Sequence, residues 1–262
     1  MNNHRRMSRR ILPGMLPIVI ALLILMAISA IASPEPVLIR EAEYVVQQQG
    51  TPVGYEIYRK YETPEGYLYT NEAVVYVRLL DGSWDKGTYS YETYVDKSYN
   101  PILHIQTSES SGVITSIETI FEEQEGGIRA VTTTTVSDRE YTQESAAPTR
   151  VFCPAEAVLD YLAESGFLQL GHRQEIYIWS AEHGTFDLVP VEVLEETTFE
   201  HSGQELPAYL VSIVEQDVPI RLLVSPGGMH YKSSFPTIGV ESRLINPGET
   251  IAEFSPMILD MG

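Results

Sequence analysis

The feature that most constrains this chain is a repeated short unit: runs of Tyr, Val, Ile and Thr, each closed by turn residues, from about position 40 to 245. Turn residues fall at Pro64 to Gly66, Asp81-Gly82, Asn100-Pro101, Ser111-Gly112, Gly126-Gly127, Ser202-Gly203 and Gly227-Gly228. Such punctuation marks strands joined by tight turns. Strands are expected near 40–48, 53–62, 67–80, 86–96, 102–109, 113–122, 128–143, 174–181, 186–199, 206–216, 218–225, 229–236 and 239–245. The fold class is therefore mainly β: a large curved antiparallel sheet, open or a half barrel, with one packed helix. The helix is expected between Cys153 and Gly166, where Val158, Leu159 and Leu162 recur at helical spacing, Pro154 stands in the first turn and Gly166 is a stop.

Side-chain alternation adds a second expectation. Val113, Ile117 and Phe121 share one face of their strand, whereas Ile114 and Ile120 mix with Ser116 and Glu118 on the other; Ile220, Leu222 and Val224 oppose Arg221 and Leu223 in the same way. A second face that is only half polar suits either a groove wall or the ordinary surface of a sandwich.

The N-terminus sets the compartment. Arg5, Arg6, Arg9 and Arg10 precede an apolar run from Ile11 to Ile31, followed by Ala32, Ser33 and Pro34. A basic start, an apolar core and small residues near the end form a secretory signal. Residues 1–32 are thus a signal peptide, cleaved after Ala32, or a membrane anchor, and an N-terminal hydrophobic helix is expected; Pro13, Gly14 and Pro17 shorten its clean helical part. Residues 33–39 are read as a linker, 40–246 as an extracytoplasmic domain, secreted or anchored by residues 11–31, and 247–262 as a C-terminal tail. With a single cysteine, Cys153, no intrachain disulfide forms, and no cysteine at the cleavage site could carry a lipid.

The chain carries 36 acidic against 17 basic residues, a formal charge of −19. That excess repels phosphates, so nucleic acid is not an expected partner, and membrane contact is expected only through an uncleaved N-terminal segment. The histidines at 172, 183, 201 and 230 lack metal-ligand spacing, and neither a metal nor a cofactor is expected.

Two segments carry a family resemblance. Gly50 to Tyr58 (GTPVGYEIY) and Arg221 to Lys232 (RLLVSPGGMHYK) resemble the opening strand and closing hairpin of exported bacterial β-domains of unknown function, including those preceding transglutaminase-like domains. The strand rhythm between Gln47 and Ile245 is similar as well. In outline the resemblance implies a curved sheet like the lipoprotein carriers of the LolA type, whose concave face holds acyl chains. It transfers no catalytic residue.

Two groups of residues bear on chemistry. Tyrosines 55, 58, 61, 67, 69, 76, 89, 91 and 94 crowd the early strands with Trp84. They form either a cross-strand ladder or a binding wall, and Tyr67, Tyr69, Tyr89 and Tyr91 are the candidate ligand-binding residues. Cys153 precedes the helix, where peptide N–H groups lower a thiol pKa, and His183, His201 or His230 with Asp187 or Asp217 could complete a nucleophilic set. The residues around Cys153 and His183 depart from the transglutaminase pattern, and Phe152-Cys153 beside an apolar helix reads as a buried, inert thiol. The expectation is an exported non-enzymatic binding or scaffold domain for a lipid or other apolar ligand. The alternatives are a cell-envelope protein–protein interaction module and a cysteine acyltransferase or protease.

Overall fold

The computed structural model describes residues 35–78, 84–215, 218–246 and 249. The expected signal or anchor segment and most of the expected C-terminal tail lie outside the described residues, so the expected N-terminal helix does too. The described residues from Pro36 onward form one compact unit.

Among the described residues fifteen strands form one sheet. The first eight are β1 (Val37–Gln48), β2 (Thr51–Glu62), β3 (Gly66–Arg78), β4 (Trp84–Asp96), β5 (Pro101–Ser110), β6 (Val113–Gln124), β7 (Gly127–Val136) and β8 (Arg139–Ala147). After the short β9 (Val151–Phe152) and the helix α1 (Ala155–Glu164) come β10 (Arg173–Ser180), β11 (Thr185–His201), β12 (Gln204–Glu215), β13 (Val218–Val224), β14 (His230–Phe235) and β15 (Val240–Leu244). Each half is a meander, and β1 pairs antiparallel with β15, so the order runs β8 to β1, then β15 down to β9. Among the described residues only β9 pairs in parallel, with β10. Tight turns hold the register: at Ser111-Gly112 both residues take positive φ, matching the twist of the flanking strands.

The two sheet ends approach each other through side chains. Gln143 Nε2 and Ser145 Oγ on β8 donate to the Gly184 carbonyl at the β10–β11 turn, at 3.0 and 2.6 Å. Beneath them Phe121, Ile128, Ala130, Ala147, Val151, Cys153 and Trp179 pack as one cluster, with Phe121 edge-on to Trp179. The sheet is therefore a nearly closed barrel.

Helix α1 fills much of that barrel. Residues 157–160 and 162 are all buried, and four consecutive residues stand about 100° apart around the helix axis, so every side of the helix meets protein. Its partners come from both halves: Tyr44, Tyr58, Tyr69 and Tyr91 on one side, Ile176, Val189, Val191, Val211 and Leu222 on the other. The one packed helix expected from the sequence is an internal plug.

Three further differences have local causes. The strand expected over 128–143 is two strands, because Ser137 takes a positive φ and turns the chain. Strand β1 starts at Val37, inside the expected linker, and Val37 pairs with Glu62. The RLLVSPGGMHYK segment is the β13–β14 hairpin, but β15 follows it. The half-polar faces also find their place: Ile117, Phe121, Leu222 and Val224 point inward and are buried, whereas Ile114 and Ile120 are exposed. The mixed face is thus the outside of the barrel, and any groove is its interior.

Candidate functional site

The interior divides into a sealed half and an open half. The sealed half is organised by Asp160, which is 2% exposed at the middle of α1. Arg40 from β1 meets it with two hydrogen bonds, Nη1 to Oδ1 at 2.8 Å and Nη2 to Oδ2 at 2.9 Å. Lys60 Nζ from β2 stands 2.9 Å from Oδ2, and the Tyr69 hydroxyl from β3 donates to the same oxygen at 2.7 Å. Cross-strand register puts these groups together, since Arg40 opposes Lys60 and Lys60 opposes Tyr69. The Lys60 ammonium also lies over the Tyr67 ring at 4.0 Å and the Tyr69 ring at 5.4 Å. Tyr67 stacks on Tyr99, whose hydroxyl donates to Glu164 near the end of α1. A buried charge is tolerable only with such company.

The open half is a cavity of about 530 Å³ beside the N-terminal turn of α1. Tyr89, Tyr91, His104 and Gln106 form one wall, Ile178, Ile220 and Phe235 another, and Pro154 to Glu156 the floor. The exposed Glu182 and His183 also line it, so it reaches solvent there. Tyr89 and Tyr91 meet edge to face at 5.9 Å, and the Tyr91 hydroxyl donates to Glu156 Oε2 at 3.1 Å. His104 is fixed between Thr93 Oγ1, 2.8 Å from Nδ1, and Gln106 Oε1, 3.3 Å from Nε2; burial lowers its pKa and keeps it neutral.

Two carboxylates mark this end. Burial raises the Glu156 pKa, offset in part by its own backbone N–H and by Tyr91. Glu56 on β2 is pushed up to about 7 by burial and by the charge of Glu156, with Ser242 and Asn71 favouring its carboxylate form. Among the described residues neither has an ion-pair partner within 4 Å.

The four candidate tyrosines are therefore split. Tyr89 and Tyr91 line the cavity, whereas Tyr67 and Tyr69 are committed to Lys60 and Asp160. Sequence reasoning missed Glu156, Asp160, Arg40 and Lys60. A carboxylate inside the apolar stretch of α1 was the available signal, but Arg40 and Lys60 converge on it only through strand register.

Cys153 also borders the cavity, yet it is buried, and its thiol pKa moves up rather than down. Burial is the main cause; Thr93 partly offsets it, and the negative charge of Glu156 adds to it. These effects outweigh the helix N-terminus. His183 lines the same cavity, while His201 and His230 are not among the lining residues. Asp187 is half-buried on β11 and Asp217 lies outside the described residues. We expect iodoacetamide to label native Cys153 at least about 100-fold more slowly than the unfolded chain, because only the exposed thiolate reacts. Comparable rates would mean a reactive thiol. Among the described residues no group of three or more His, Cys, Asp or Glu side chains could hold a metal ion.

Fold and interior together define a class: a β-barrel-like domain plugged by a single helix. A β-barrel-like protein of domain of unknown function DUF1849 from Brucella abortus has a similar structure, with a TM-score of 0.61 at 13% identity over 79% of this chain and 95% of that one. A DUF1089 family protein from Pseudomonas aeruginosa gives a TM-score of 0.42 at 14% identity, over 71% of this chain and 90% of that one. No protein-family model and no curated protein matches the chain. The likeness to the Brucella protein supports the barrel-like fold.

Proposed function

We propose that this chain is an exported, non-enzymatic binding domain that holds a small apolar or amphiphilic ligand inside the barrel. One observation carries the reading: α1 fills only part of the interior and leaves about 530 Å³ open to solvent, within the range of small-molecule sites. Its lining suits such a ligand, with apolar side chains from β10, β13 and β14 facing a few polar groups from β3 to β5. The lipoprotein-carrier outline implied by the sequence resemblance supports the same arrangement, a curved sheet with its ligand on the concave face. The N-terminal segment supports export. Protein purified from its native membranes without added lipid is expected to release a bound amphiphile in native mass spectrometry. Protein free of any bound species that also fails to bind the neutral probe N-phenyl-1-naphthylamine would overturn the reading.

A second reading, an envelope interaction module, has one observation in its favour. β8 ends the sheet order with β7 as its ladder partner, and most of its residues are exposed. A strand edge of this kind can accept an added strand. Pull-down from envelope extracts is expected to recover a partner if this edge is used; a clean monomer with none counts against it.

A further inference from the structure

The two halves of the interior repeat one constellation, and only one copy is complete. Around Asp160 a helix carboxylate accepts a tyrosine hydroxyl, two tyrosine rings flank the site, and the Lys60 ammonium stands between carboxylate and rings. One turn earlier on the same helix, Glu156 accepts the Tyr91 hydroxyl, and Tyr89 and Tyr91 flank it. This second copy faces the cavity and, among the described residues, has no cation in contact: Arg40 acts on Glu156 only from a distance, its guanidinium being bound to Asp160. A separate observation points the same way. Asn71 on β3 lines the cavity, is only 8% exposed, and among the described residues its Oδ1 has no hydrogen-bond partner. An orphaned buried acceptor calls for a donor.

We propose that the cavity selects an amphiphile with an ammonium head, which sits between Glu156, Asn71 Oδ1 and the Tyr89 and Tyr91 rings while its apolar part lies against Ile178, Ile220 and Phe235. This rests on the ligand-binding reading above. An ammonium offers donors to both acceptors, is attracted by the tyrosine faces and neutralises part of the charge shared by Glu56 and Glu156. The other titratable groups at the cavity do not compete for it. Cys153 keeps its proton and His104 is neutral, while Glu182 and His183 stand at the mouth. A carboxylate head would meet the like charge of Glu156, and an alcohol would leave Glu156 without a counter-charge.

The test uses the whole protein and three ligands with the same tail: dodecylamine, dodecanol and dodecanoate displacing N-phenyl-1-naphthylamine at pH 7. Dodecylamine is expected to bind at least about tenfold more tightly than dodecanol, with dodecanoate weakest, and Glu156→Gln should bring amine and alcohol together. Ile220→Trp, which fills the apolar side without touching the charges, should abolish binding of all three. Equal affinities for amine and alcohol in the wild type overturn the ammonium site while leaving ligand binding intact, and this comparison decides even if Glu156→Gln fails to fold. An amine preference that persists in Ile220→Trp overturns it too, since it would belong to the acidic surface. Failure of the probe to bind overturns the underlying reading itself.

Discussion

Replacing Asp160 with alanine is expected to cost about 3–5 kcal/mol of folding stability, the range for removing one partner from a buried ion pair. The loss comes less from missing attraction than from what remains: Arg40 and Lys60 would stay inside the barrel without their carboxylate, and the Tyr69 hydroxyl would lose its acceptor. Removing the cations as well should recover much of the deficit, so Arg40→Met, Lys60→Met and Asp160→Leu together should be more stable than Asp160→Ala. Urea denaturation of the variants gives both comparisons. A loss below about 1 kcal/mol would mean that water reaches this network.

A comparable effect is expected from Gly228→Ala, at a position with no charge. Gly228 turns the chain between β13 and β14 with φ of +85°, where an L side chain is strained. A Cβ there would also lie 2.7 Å from Asp160 Oδ1 and 2.9 Å from both the Leu159 carbonyl oxygen and the Asp160 Cα. The hairpin rests directly on the plug helix, so relief requires moving backbone in one or the other. Strain and displacement together should cost about 3 kcal/mol or more, read as a fall in Tm. Gly112→Ala serves as the comparison: its φ is +75°, but a Cβ would meet nothing within 4 Å, and only the conformational cost of about 1–2 kcal/mol is expected. Equal effects at the two sites would contradict the close packing of hairpin and helix.

These residues show what the sequence reveals and what it hides. The strands were legible because turn residues separate Tyr- and Val-rich runs, and α1 because Val158, Leu159 and Leu162 fall at helical spacing. Closure was not legible. It depends on β1 pairing with β15, and on Gln143 and Ser145 reaching Gly184, contacts between residues far apart in the chain. The helix itself is readable from Val158, Leu159 and Leu162, but nothing in that spacing shows that Asp160 is buried against the cations of β1 and β2. The tyrosines were legible as a group but not by role: Tyr69 and Tyr91 look alike in sequence, and only register sets one at Asp160 and the other at Glu156.

The central claim is that the space left by the plug helix is a binding site. Titration of N-phenyl-1-naphthylamine into wild type and Ile220→Trp tests it most directly. The account predicts saturable enhancement of probe fluorescence at one site per wild-type chain, lost in an Ile220→Trp protein that unfolds with the wild-type cooperativity. Equal saturable binding by the two proteins would place the site elsewhere and contradict the claim.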